Sequence, residues 1–172
     1  MLYRNRYRVP SARWTRWDYR WAGVYSVTLC AQDRAPCLCD IEGDAVHLSP
    51  LGEAAALEWQ RLPERFPHVA LDEWIIMPDH MHGILIFASL ETPGDTPKSR
   101  LLAGSLGAVI GQFKSKSTKR IWAMGRRDFA WQPRFFDRIV KTADHLHNLR
   151  TYIRENPRRW TAERVINDEV TK

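Results

Sequence analysis

Long apolar runs are missing from this 172-residue chain. Charged residues interrupt every hydrophobic stretch well short of membrane-spanning length, and no signal-peptide pattern opens the sequence. Cysteine is also scarce. Cys30, Cys37 and Cys39 are odd in number and form no C-x-x-C pair, which argues against a disulfide framework and for reduced thiols in a cytoplasmic protein, with a Cys37/Cys39 metal pair as the alternative. No internal repeat is visible. What is present is a hydrophobic fraction of 44% with eight Trp, six Phe and five Tyr, enough for the core of one globular domain.

Charge is unevenly placed. The formal net charge is +6, but residues 1–21 carry six Arg against one Asp, residues 22–97 three basic against twelve acidic side chains, and residues 98–160 fifteen basic against four acidic. Concentration of positive charge at one end and in the second half is the footprint of a polyphosphate partner, and it is also compatible with a merely solvated surface. The arm "MLYRNRYRVPSARWTRWDYRW" (1–21) interleaves Arg with Tyr and Trp. It either lies along a nucleic-acid backbone with its aromatics stacked or docks its Trp residues on the domain. A domain over 22–160 and a short tail over 161–172 follow.

The hydrophobic pattern predicts the elements. "AGVYSVTLC" (22–30) alternates and is β-branched, a strand. "CLCDIEGDAVHL" (37–48) reads as a hairpin turning at Glu42-Gly43-Asp44. Ser49-Pro50 supplies an N-cap and a first-turn proline for a helix through Leu62. "LDEWIIM" and "HGILIFA" are strands joined across Pro78-Asp79, a turn in which Asp79 serves the backbone. "SLETPGDTPKSR" (89–100) is a mobile surface loop. Leu106, Val109, Ile110, Phe113 and Ile121 repeat at helical spacing, with Lys114, Lys116, Lys119 and Arg120 on the other side. "AWQPRFFDRIV" is a further strand. Thr142 caps a last helix that stops at Pro157. The order strand, helix, strand, strand, helix, strand predicts an α+β, ferredoxin-like antiparallel sheet (βαββαβ) with helices on one face and an appended C-terminal helix.

Two short patterns carry chemistry. In "MPDHMHGILIF" (77–87), His80 and His82 share one face of a strand while Met81 enters the core on the other. Two imidazoles side by side on a rigid strand are a metal site or awkward packing. The same spelling at His145 and His147 falls on a helix, where a two-residue step turns about 200°, so those two cannot form a common site. In "TADHLHNLRTYIRENPRRW", Tyr152 and Asn156 lie one turn apart on a common face. On their own they are also what a helix-ending Asn beside a partly buried Tyr looks like.

Taken together and in this order, "MPDHMHGILI", "WQPRFFDRIV" and "YIRENPRRW" resemble the single-tyrosine HUH transposases of small insertion sequences, most closely the REP-associated tyrosine transposase-like branch. The similarity extends to "WDYRWAGVYSVTLCAQDR" and "GSLGAVIGQFKSKSTKRI", nearly the whole chain. The resemblance implies a metal-dependent nuclease and strand transferase acting on single-stranded or hairpin DNA. It makes His80 and His82 the ligands of a divalent ion, Mg²⁺ or Mn²⁺, Asn156 the third ligand, and Tyr152 the nucleophile. Arg138 stands where many relatives carry His.

Two imidazoles and an amide oxygen leave an octahedral ion open positions for phosphate and water. Recognition falls to Lys114, Lys116, Lys119 and Arg120, and to Arg154, Arg158 and Arg159 beside the tyrosine. Trp131, Phe135 and Trp160 are candidates for base stacking, with core packing the competing fate. The tyrosine helix serves its own subunit or swaps into a partner in a homodimer. Two other readings stand beside this one: a non-catalytic nucleic-acid-binding module of the same fold, and a metal-dependent hydrolase of another class that recruits further His, Asp or Glu.

Overall fold

The computed structural model describes residues 2–3, 6–7, 22–88 and 104–170, with side chains for 22–88 and 104–162. A two-residue ribbon pairs β1 (Leu2–Tyr3) with β2 (Arg6–Tyr7). The rest of the basic aromatic arm and the 89–100 loop lie outside the described residues.

Four strands build the main sheet: β3 (Gly23–Cys30), β6 (Val69–Ile76), β7 (His80–Phe87) and β8 (Phe136–Val140). Their order is β6-β7-β3-β8, every pair antiparallel. Helices α1 (Pro50–Gln60) and α3 (Leu106–Ala123) connect the strands, and a short α2 (Leu62–Arg65) follows α1. This is the expected ferredoxin-like α+β plan. A separate hairpin, β4 (Cys39–Glu42) with β5 (Ala45–Leu48), turns through Gly43 at φ +62°, a left-handed conformation that glycine adopts without steric cost.

Alternation along the two central strands separates the faces. Tyr25, Val27 and Leu29 of β3 and Met81, Leu85 and Phe87 of β7 are buried in one core with Trp59, Leu106, Val109, Ile110, Phe113 and Ile121 of the helices. The predicted apolar stripe of α3 is therefore its buried face. Ser49 and Ser105 cap the two helices, their hydroxyls accepting from the Gly52 and Ala108 N–H groups at 3.2 and 3.3 Å. All three cysteines are free. The Cys39 thiol donates to the Ile76 carbonyl, and burial pushes its pKa up to about 12, so Cys39 is a poor source of the thiolate a metal needs.

The last helix departs from expectation. α4 (Ala143–Val170), capped by Thr142 Oγ1 on the His145 N–H at 3.1 Å, runs straight through Pro157. Proline lacks the N–H and clashes with the preceding turn, a cost of about 3 kcal/mol in a helix interior, and tertiary contacts override it here. Pro157 and Asn156 are buried, and one turn later the Thr161 hydroxyl donates to the Gly43 carbonyl of the hairpin at 2.9 Å. Asn156 is therefore an interior helical residue, not a frayed end, and helix continues past residue 160. α4 packs on the face of the sheet opposite α1 and α3, because its Tyr152 and Trp160 meet His82 and His80, the outward residues of β7. Among the described residues no helix is long and apolar enough to cross a membrane.

Gly83 tests the packing of the inner face. A Cβ there would sit 2.3 Å from the Trp59 indole, and Trp59 is fully buried. Gly83→Ala is expected to cost about 1–3 kcal/mol through overpacking, read as a lowered urea midpoint with an unchanged m-value. A midpoint equal to wild type would show that Trp59 can move.

Candidate active site

β7 places His80 and His82 on the outer face, opposite Cys30 and Thr28 of β3 in register. Their Nε2 atoms lie 3.1 Å apart. Each Nδ1 is held from behind. His82 Nδ1 is 2.8 Å from the Thr28 hydroxyl, and His80 Nδ1 contacts Asp79 Oδ1, whose other oxygen accepts from Arg34 Nε at 3.0 Å. Asp79 is 6% exposed. It does more than close the turn, because it anchors one imidazole. A ring that donates from Nδ1 to a carboxylate presents Nε2 as a lone pair, the arrangement common behind metal-bound histidines.

Burial lowers the pKa of both rings. Desolvation is the largest cause for His80, opposed by the Asp79 carboxylate, and His82 is pushed down to about 4 by burial and then by the charges of His80 and Arg34. Both are neutral at pH 7, as metal ligands must be. At 3.1 Å two neutral rings share one hydrogen between their Nε2 atoms, and a divalent ion in its place would meet two Nε2 lone pairs, with both Nδ1 atoms then donating to Asp79 and Thr28. Ligands at right angles around an ion at about 2.1–2.2 Å stand about 3 Å apart, so the spacing of the pair suits a divalent ion.

Tyr152 and Asn156 face the same place from α4. The Tyr152 ring packs edge-on against His82 at 5.4 Å between centroids, and the Arg159 guanidinium lies over the Tyr152 ring at 5.3 Å from its centroid. Asn156 is 7% exposed, and its amide nitrogen makes a long 3.4 Å bond to the Tyr152 carbonyl, so the amide oxygen is the acceptor available to the cavity. His80, His82, Tyr152 and Asn156 together line one cavity of about 590 Å³, with Arg34 and Arg159 among its other walls. Tyr152 is 39% exposed. A second cavity adjoins the first across Tyr152 and Phe136 and is lined in part by Arg138 and His145.

An irregularity in β6 holds α4 in place. The register slips by one residue between Leu71 and Trp74, and this bulge turns Asp72 and Glu73 toward the helix. The Arg150 guanidinium donates to Asp72 through Nε and Nη2, at 3.0 and 2.7 Å to Oδ2, and Arg154 pairs with Glu73 at 3.2 Å. Arg154 thus has an acidic partner, and Arg159 pairs with Glu155 at 2.9 Å while remaining in the cavity wall. Arg158 is exposed.

The cations of α3 lie elsewhere. Lys114, Lys116, Lys119 and Arg120 are on the helix across the sheet, and none lines the cavity. Lys114 Nζ donates to the carbonyls of Gln132 and Arg134 at 2.7 and 2.8 Å, and burial lowers its pKa to about 8. Arg120 pairs with Glu58 at 2.8 Å, whereas Lys116 and Lys119 are exposed. Trp131 is core and donates to Ser117, and Phe135 packs against the core. Trp160 lines the cavity beside His80.

Asp79 and Arg34 are the site residues that sequence reasoning missed. Adjacency of Asp79 to His80 was the available signal, but only the folded turn shows that the carboxylate faces the ring.

Comparison with known proteins sets this geometry in context. No family model matches the chain. A Haemophilus influenzae protein described only as uncharacterized is 25% identical over 169 residues, covering 92% of this chain and 93% of its own. A REP-associated tyrosine transposase, solved bound to a REP hairpin, superposes with a TM-score of 0.59 at 18% identity, over 85% of this chain and 72% of that one. This chain has the fold of that transposase.

The low pKa of His82 has a consequence for stability. Its unfolded imidazole takes up a proton near pH 6.5 and its folded one near 4, so between these values the unfolded state binds more protons. In EDTA-treated protein the melting temperature should therefore fall as pH drops from about 6.5 to about 4. His82→Gln should flatten that part of the profile, and an equal slope in the variant would contradict the assignment.

Proposed function

We propose that this chain is a metal-dependent single-stranded DNA endonuclease and strand transferase, a transposase or a host-adopted relative, working through a covalent phosphotyrosine. The observation that supports this most is the convergence of the paired His80 and His82 Nε2 atoms, Asn156 and Tyr152 on one cavity, within a fold shared with a tyrosine transposase. His80, His82 and the Asn156 oxygen would hold a divalent ion, Mg²⁺ or Mn²⁺. Such an ion would supply positive charge to offset that of the scissile phosphate and to favour the phenolate form of a group whose ordinary pKa is about 10.

The chain's own groups do the rest. Asp79 holds His80 in the tautomer that presents Nε2, and Thr28 fixes the orientation of the His82 ring, its hydroxyl accepting from Nδ1 when Nε2 serves as a ligand. The ion pairs of α4 with the β6 bulge hold the Tyr152 ring beside His82. Tyr152 Oη gives up its proton to solvent and bonds to phosphorus as the bond to the 3′-oxygen breaks, leaving a 5′-phosphotyrosine and a 3′-oxygen that is reprotonated. The linkage conserves the energy of the broken diester, so a 3′-hydroxyl can reverse the attack and join a new strand. Arg159 over the tyrosine face supplies positive charge next to the developing bond. Hairpin-bearing DNA is the substrate we favour, because the transposase of the same fold was solved with a hairpin.

Two competing readings predict different results. A hydrolase of another class recruits a third His, Asp, Glu or Cys, and among the described residues no cluster of three such groups is placed to hold a metal. A binding module keeps the fold without the chemistry. The test is covalent capture: labelled single-stranded hairpin oligonucleotides incubated with the protein and Mn²⁺, Mg²⁺ or EDTA, then resolved on denaturing gels. A metal-dependent adduct is expected, abolished in Tyr152→Phe and reduced at least about 100-fold in His82→Ala or His80→Ala. Cleavage that persists in Tyr152→Phe would indicate the hydrolase. Binding without adduct or cleavage across a broad oligonucleotide pool would indicate the binding module.

A further inference from the structure

The 3₁₀ turn after β3 (Gln32–Arg34) contains two consecutive non-glycine residues in the left-handed region, Asp33 at φ 54° and Arg34 at φ 57°. L side chains rarely adopt this conformation, and a pair in sequence persists only where the surroundings over-determine it. Here they do. The Ala31 N–H donates to the Asp79 carbonyl at 2.9 Å, Gln32 to Ala130 at 2.8 Å, and Arg34 back to Ala31 at 3.1 Å.

The result of this constraint is the placement of one side chain. Arg34 Nε donates to Asp79 Oδ2 at 3.0 Å, and Nη1 donates to Cys30 Sγ at 3.0 Å. Asp79 in turn holds His80. The guanidinium has five N–H groups in a rigid fork, and these contacts use only part of it. Its side chain is 51% exposed and forms a wall of the cavity that contains His80, His82 and Tyr152. A guanidinium that served only to neutralise Asp79 would present both prongs to the carboxylate. This one meets it through Nε, gives Nη1 to the Cys30 sulfur, and stands in the cavity wall with half of its side chain exposed.

We propose that Arg34 is a phosphate-binding residue of this site, donating its remaining N–H groups to a non-bridging oxygen of the DNA backbone beside Tyr152, and that it also positions His80 through Asp79. The proposal rests on the nuclease reading for the identity of its anion. It assigns to one side chain two separable roles, contact with DNA and alignment of a metal ligand.

Those roles can be measured apart. The full chain carrying Tyr152→Phe, which cannot form the adduct, is titrated with a hairpin oligonucleotide bearing a single-stranded flank at several NaCl concentrations, and separately with MnCl₂ by calorimetry. Arg34→Gln should lower the slope of log K against log[salt] by about 0.7, the value for one phosphate contact on a single strand. It should also weaken Mn²⁺ binding about 10- to 100-fold, as loss of a partner behind a ligand does. Asp79→Asn should weaken Mn²⁺ to a similar extent and keep the slope. Arg34→Lys should keep the slope and still lose Mn²⁺ affinity, because an ammonium cannot serve Asp79 and a phosphate together.

An unchanged slope in Arg34→Gln overturns the phosphate role, and unchanged Mn²⁺ affinity overturns the positioning role. If Arg34→Gln does not fold, judged by its melting curve, Arg34→Lys and Asp79→Asn decide: loss of slope in Asp79→Asn, or full Mn²⁺ affinity in Arg34→Lys, overturns the proposal. Failure of the nuclease reading is seen elsewhere, as wild-type protein that gives no adduct.

Discussion

The two-residue alternation of β7 is the constraint on which the rest of the molecule depends. Met81, Leu85 and Phe87 enter the core beneath α1 and α3, and Gly83 makes room for Trp59. The same strand sends His80 and His82 to the opposite face. Because the period is two, the inner residues cannot be buried without presenting the imidazoles outward. Hydrophobic burial on one side thus sets the position of the two rings on the other, and β3, bonded along the whole length of β7, adds Thr28 behind His82.

Rigidity alone would not make the rings useful. Burial keeps both neutral, while Asp79 and Thr28 determine which nitrogen is turned to the cavity. Low dielectric strengthens these contacts and raises the cost of leaving any of them unmade. The Arg34–Asp79–His80 chain therefore joins a strained turn, a carboxylate and an imidazole into one unit.

The second half of the site comes from α4, and it is held by features that interrupt regular structure. A bulge in edge strand β6 aims Asp72 and Glu73 at Arg150 and Arg154. A hairpin inserted between β3 and α1 receives Thr161 and accompanies the helix past Pro157. Without that continuation Asn156 would be a helix end facing solvent. With it, Asn156 is an interior residue one turn from Tyr152, and both line the cavity.

The elements and much of the candidate site were legible in the sequence. Local periodicity is enough to place His80 and His82 on one strand face, Leu106 to Ile121 on a buried helix stripe, and Tyr152 one turn before Asn156, since each depends only on residues near in the chain. The capping roles of Ser49 and Thr142 were legible for the same reason. The remainder rests on contacts between residues distant in the chain. Whether a helix survives a proline depends on what buries it, which no window around Pro157 reveals. Whether Lys114 grips a partner or its own backbone depends on Gln132 and Arg134, eighteen and twenty residues away. Arg34 and Asp79, separated by forty-five positions, meet only because β3 and β7 are antiparallel neighbours, and that pairing brings a turn at the end of one strand against the turn that opens the other.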